Sequence, residues 1–263
     1  MIEPLLISSS AIVITLLYAS LLDLKERRVP FKTWYPMLVV GIPMALWVYT
    51  ILLSGDLRVA LGYIFLVGML CVMFYISSAY LHLFGGADAW AFIFITALVP
   101  LFPFEPLWGY PAIAFFPLSV LINAVVLNIA TPVGIFIYNV VKGNRAPVFN
   151  MFVGFPVEGK KITDSYGFIM EEFMETEDGV KRSYISFIAS VKRMISGKRR
   201  MYTQDLKKYP DEYKKELEIY ARSGKIWISF GVPFIIPITL GFMSALFAGD
   251  ILYEIFKIFF GVI

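Results

Sequence analysis

Asp23 and Asp88 are the residues of this sequence whose surroundings give them chemistry to do. Asp23 closes the first long apolar run, and Asp88, in Leu83-Phe84-Gly85-Gly86-Ala87-Asp88-Ala89-Trp90, sits between a run ending near Leu83 and another beginning at Ala89. An ionised carboxylate costs about 2.5–3.5 kcal/mol at the centre of a membrane helix and less at the interface. Two of them at matching depth therefore call for a reason. If the fold brings them together, their like charges cannot both persist and the pair shares one proton. One acid can then deprotonate a water while the other protonates the scissile carbonyl oxygen or the leaving amine. That is peptide hydrolysis without metal, Cys or Ser. The proton belongs to the pair, so neither acid is assigned as the base.

Other chemistries are poorly supplied. Cys71 is the only cysteine and lies in an apolar run, so a disulfide or a Cys-based metal site within one chain is excluded. His82 is the only histidine, which removes His-rich metal sites and argues against the Ser-His-Asp and Cys-His arrangements. No metal and no cofactor is expected. The net charge of +3 does not point to nucleic acid, because the basic residues are concentrated in one segment.

The elements that must position the acids are membrane helices. With 59% apolar and 16% charged residues over 263 positions and a mean hydropathy of +0.73, the chain is too apolar for an ordinary soluble domain. Apolar runs fall at 5–24, 34–53, 57–81, 89–104, 111–141 and 226–248. Most can cross a hydrocarbon core of roughly 30 Å at 1.5 Å per residue. The fourth is short, and the fifth is too long for one straight span, with Pro132 as the expected kink. The fold class read from these runs is an all-α polytopic membrane protein with six transmembrane helices and a small α+β cytosolic insertion between helices five and six.

Lys and Arg set the orientation. Lys25, Arg27, Arg28 and Lys32 follow the first run, Arg58 alone lies between the second and third, and the densest basic stretch runs from Lys142 to Arg222. The positive-inside rule then puts loops 25–33 and 82–87 and segment 142–224 in the cytoplasm and both termini outside. Asp23 and Asp88 both fall on the cytoplasmic side, whereas Glu3, Asp56, Glu105, Asp250 and Glu254 fall on the outer side. The organisation expected is a membrane domain over 1–141, a cytosolic insertion over 142–224, and a sixth span with its tail over 225–263. Acid at Glu3 and the lack of a basic start argue against a cleavable signal peptide. Within the insertion, 168–187 reads as a hairpin turning at Asp178-Gly179, and 211–223 as a helix stopped by Gly224.

Each feature also has a plain reading. Asp88 can cap the fourth helix, and Asp23 can sit at the interface with Lys25 and Arg27 nearby. Gly85-Gly86 can be a turn, or can let an extended peptide approach because glycine lacks a Cβ. His82 reads as a helix-end residue facing water rather than a proton relay. Asn123 and Asn128 read as interhelical hydrogen-bonding groups. Pro233 and Pro237 break the last run and point weakly to a cavity wall. Glu171, Glu172, Glu175, Glu177 and Asp178 read as a solvated hairpin face, with attraction of a basic substrate segment as the functional alternative.

Asp23-Leu24-Lys25-Glu26-Arg27-Arg28-Val29, followed by Trp34, resembles the first signature of the archaeal preflagellin peptidases, relatives of the bacterial type IV prepilin peptidases. Gly85-Gly86-Ala87-Asp88 fits their second signature, Gly-any-hydrophobic-Asp, shared with the GxGD intramembrane aspartyl proteases. The closing stretch from Trp227 to Asp250 is similar to the last span of the methanogen enzymes. Ala87 stands where the tightest form of the motif has Gly, and the CxxC pairs and methyltransferase region of many bacterial relatives are absent.

The resemblance implies an aspartyl endopeptidase with Asp23 and Asp88 as its catalytic acids, supported by Gly85, Gly86 and Ala87. It also implies removal of a short basic leader from archaellin or pilin-like precursors lying in the bilayer. A proton- or cation-coupled transporter using the same carboxylates is the alternative, although no internal repeat supports it. A scaffold that recruits partners through the insertion is a third.

Overall fold

The computed structural model describes residues 2–81, 85–176, 179–186, 189, 201–229 and 234–261. His82, Pro233, Glu177 and Asp178, all weighed above, lie outside the described residues. The chain divides into two compact units, one made of 1–129 with 233–263 and the other of 130–232.

The first unit is helical. Its elements are α1 (Ile2–Glu26), α2 (Tyr35–Ser54, entered through the single turn Phe31–Trp34), α3 (Leu57–Ala79), α4 (Gly86–Leu98) and α5 (Phe116–Asn128). Asp56 starts α3, its carboxylate accepting from the N–H groups of Arg58 and Val59. Three of these helices are long and apolar enough to cross a membrane: α1, Phe31–Ser54 and α3. A fourth candidate, Phe116–Val141, joins α5 to α6 (Ala130–Val141). The break between α5 and α6 falls at Ile129, three residues before Pro132. Pro132 has no N–H for the carbonyl of Asn128, and its ring crowds that carbonyl, so the helix is interrupted where the sequence anticipates a kink.

The last run does not form one helix. Lys225–Ser229 is a strand, and apolar helix begins only at Ile235. A short buried strand and a buried helix are equally apolar, so composition could not separate them. Two helices remain beyond it, bent by 61° at Gly249-Asp250, and the pair is one further candidate span. Among the described residues there are thus four to five candidate spans by length and composition, and α4 is a shorter apolar helix. The fold is mostly helical with a small sheet region, and its apolar helices suit a multi-pass membrane protein.

Asn123 on α5 holds that bend. Its Nδ2 donates to Ser244 Oγ at 3.0 Å and to the Gly249 carbonyl at 2.8 Å, and its Oδ1 accepts from the Ile251 N–H at 2.8 Å. This is the interhelical role expected of it. Asn128 does not share that role, since its Oδ1 is buried with no hydrogen-bond partner among the described residues. Gly241 lets the helix packed on α5 come close, because a Cβ there would lie 2.6 Å from the Ala124 backbone nitrogen.

The second unit continues after α6 with α7 (Val148–Val153), β1 (Gly154–Glu158), β2 (Glu171–Thr176), β3 (Gly179–Tyr184), α8 (Thr203–Lys208), α9 (Lys214–Arg222) and β4 (Lys225–Ser229). The first unit resumes with α10 (Ile235–Phe247) and α11 (Ile251–Phe260). β1 pairs antiparallel with β4, and β2 with β3, the hairpin read from the sequence. Gly224 ends α9 region at φ +72°, the left-handed conformation that makes glycine a helix stop. Ile162, Ile169, Leu206, Tyr220, Ile226 and Ile228 form the core.

The acidic hairpin face is not uniformly solvated. Glu171 is buried, with its carboxylate accepting from Arg182 Nη2 at 3.0 and 2.8 Å and from the Trp227 N–H at 3.4 Å. Residues alternate sides along a strand, so adjacent glutamates face opposite ways and Glu171 is the one turned inward.

Two outcomes follow from this unit. Replacing Glu171 with Gln leaves the Arg182 guanidinium without its counter-ion. Removal of one partner from a buried pair costs 3–5 kcal/mol; with Arg182 partly exposed, a loss of about 2 kcal/mol is expected by denaturant unfolding. Burial, with the Glu216 charge second, pushes the Tyr220 phenol up to about 12, and burial with the neighbouring Glu171 raises Tyr184. Both folded values exceed the unfolded value near 10, so their stabilisation is complete below pH 10 and is lost as pH rises toward 12. Thermal melts of Tyr220→Phe should fall less steeply over that window than those of the parent.

Candidate active site

Asp23 lies in the last turn of α1, where the helix is closed by Arg27. The Arg27 N–H donates to the Asp23 carbonyl at 3.0 Å while Arg27 adopts φ +52°. This is the left-handed helix end that glycine usually supplies, and it costs a residue with a Cβ about 1 kcal/mol. In return, the Arg27 charge is brought within electrostatic reach of the Asp23 carboxylate.

Asp88 is the third residue of α4. Its carboxylate accepts from the backbone N–H of Gly85, the residue before the helix, which is one half of a capping box. Asp88 thus caps α4 from its third position, and Gly85 rather than Asp88 is the N-cap residue. The hydrogen bond also fixes the direction of the carboxylate. A Cβ at Gly85 would lie 2.8 Å from Asp88 Oδ2, closer than side-chain carbons come, so glycine is what this carboxylate position requires. Gly86 faces open space, with nothing within 4 Å of a built Cβ. Ala87 packs against the core of the first unit.

The two acids are brought together. α1 and α4 pack against each other. The Asp88 carboxyl feels the charge of Asp23, and both side chains are half-buried. The segment after Asp23 is pinned to α4 by aromatic rings. Phe31 meets Trp90 edge-on at 5.3 Å, Trp90 stacks on Phe94 at 5.3 Å, and buried Trp34 lies 6.0 Å from Phe94. One turn before Asp23 on α1, the Ser20 and Thr239 hydroxyls share a hydrogen bond of 2.9 Å that ties α1 to α10. Such an arrangement can hold one proton between two acids and direct the other acid at a water.

Sequence reasoning did not single out Ser20 or Thr239. Ser20 stands three residues before Asp23, a spacing that puts the two on one side of a helix, but its partner is more than two hundred residues away. Among the described residues, no three His, Cys, Asp or Glu side chains are gathered as a metal site.

The model of the type IV leader peptidase family matches residues 10–135, which contain both acids. That of the archaeal peptidase A24 C-terminus, type II, matches residues 146–251. Together the two matches span most of the chain, and both are to peptidase families. The chain is similar to proteins named preflagellin peptidase: 26% identical over 260 residues to that of Methanocaldococcus jannaschii, covering 95% of this chain and 97% of the relative. The identity is also 26% over 250 residues to that of Methanococcus voltae, covering 89% and 92%. The matched models and the names of these relatives support a peptidase. The transporter weighed from the sequence finds no support in these matches.

The Gly85 geometry yields a sharp comparison. Gly85→Ala must displace the Asp88 carboxylate, and misplacement of a reacting group by about 1 Å costs on the order of 10²-fold in rate. Peptidase activity should fall by that order in Gly85→Ala with the melting temperature little changed. Activity equal to the parent would mean that the Gly85 contact does not set the acid's working position.

Proposed function

We propose that this chain is a membrane aspartyl endopeptidase that removes the short basic leader from archaellin or type IV pilin-like precursors at the cytoplasmic face of the membrane. The observation that carries the reading is the meeting of Asp23 and Asp88, half-buried acids from separate helices within each other's field. Its substrate class comes from the similarity to preflagellin peptidases over nearly the whole chain.

In this reading α4, extended by the apolar residues after it, and the bent pair α10–α11 complete six crossings with the four long spans. The distribution of Lys and Arg supports both acids and segment 142–224 lying on the cytoplasmic side, with both termini outside. The precursor's apolar helix lies in the bilayer, and its leader unwinds into the open space over Gly86. Asp23 and Asp88 then share the general acid and general base roles on the scissile bond, with water as the nucleophile. Glu171 takes no part in attracting the basic leader, because its carboxylate is engaged by Arg182.

Asp23→Asn and Asp88→Asn should each lower processing of an archaellin precursor by at least 10²–10⁴-fold, the usual weight of general acid–base catalysis. The readout is the new N-terminus by mass spectrometry after incubation with detergent-solubilised protein. Processing at the parent rate by both variants would overturn the proposal.

A further inference from the structure

A second concave site lies in the unit formed by 130–232, away from the two acids in sequence. It is a cleft of about 370 Å³ whose wall includes Asn144, Arg145, Arg182, Tyr184, Lys225 and Trp227. Its charges are uneven. Arg182 is neutralised by Glu171, and its guanidinium is further fixed by donating to the carbonyls of Ser223 and Lys225. Arg145 and Lys225 are exposed and have no ion pair among the described residues. Glu158 stands opposite Lys225 on the strand ladder, but it pairs with Lys161 at 3.4 Å and does not line the cleft. The cleft therefore presents two unmatched positive charges beside a rigid, already satisfied guanidinium.

Its place in the chain says what kind of anion would come. The candidate span Phe116–Val141 ends two residues before Gly143, which turns the chain at φ +67° with its N–H donating to the Val140 carbonyl at 3.0 Å. Arg145 is thus held within four residues of a membrane-spanning helix end. Cations just beyond a span sit in the negative potential of anionic headgroups. The aromatic Tyr184 and Trp227 in the same wall suit that polar and apolar boundary.

We infer that this cleft binds the phosphate of an anionic lipid headgroup, with Arg145 and Lys225 as its charged ligands. The inference goes beyond the proposed peptidase activity and depends only on Phe116–Val141 crossing the membrane. A free phosphate shares the same chemistry, but the position of Arg145 at the end of a span favours the lipid.

The test uses the full chain reconstituted in nanodiscs of phosphatidylglycerol or phosphatidylcholine, with retained lipid counted by native mass spectrometry. The parent should retain phosphatidylglycerol in preference to phosphatidylcholine. The exposed double substitution Arg145→Gln/Lys225→Gln should weaken that retention roughly thirtyfold, and Arg145→Lys/Lys225→Arg should keep it. Equal retention of the two lipids by the parent, or unchanged retention in the double Gln variant, would overturn the inference. Displacement of the lipid by an equal concentration of inorganic phosphate would assign the cleft to free phosphate and overturn the lipid reading. None of these readouts depends on proteolysis, so failure here leaves the Asp23 and Asp88 proposal standing.

Discussion

Two acidic side chains held half-buried in each other's field oppose the packing that brings them there, and the helical unit is built so that packing wins. Two charges on this pair would repel, and sharing one proton relieves that repulsion. The ring contacts among Phe31, Trp34, Trp90 and Phe94 each contribute about 0.5–1.5 kcal/mol beyond buried area and hold the segment after Asp23 on α4. The Gly85 N–H and the positive end of α4 ease the charge of Asp88, while Arg27 eases that of Asp23. Neither acid is left to water alone, and neither is sealed from it.

This arrangement explains why the site is divided between two distant signatures. The first supplies the acid, the cation that closes its helix, and the aromatic residues that dock on α4. The second supplies the other acid and the glycine without which its carboxylate would collide with the chain. Thr239, on α10, then fixes α1 from the far end of the sequence. In the proposed reading such a site belongs at the membrane surface, where the precursor's apolar helix meets its polar leader.

Much of this was legible in the sequence because hydrophobic length and lone ionisable residues are strong signals in a chain this apolar. The acids, the long helices, the β2–β3 hairpin and the helix stop at Gly224 could all be read locally. What could not be read depended on partners remote in sequence. Lys225–Ser229 joined an apolar run on composition, and only its pairing with Gly154–Glu158 makes it a strand. Glu171 looked like its acidic neighbours until Arg182 and the Trp227 backbone claimed it. Ser20 and Thr239 are ordinary polar residues until their helices cross.

The most direct test of the central claim measures the proximity of positions 23 and 88 in the membrane. In a Cys71→Ser background, Asp23→Cys with Asp88→Cys should be joined rapidly by a short bifunctional thiol reagent, as should the control pair Ser20→Cys with Thr239→Cys. Linkage of the control pair with none between 23 and 88 would contradict the account, because two acids that never approach one another cannot act on one peptide bond.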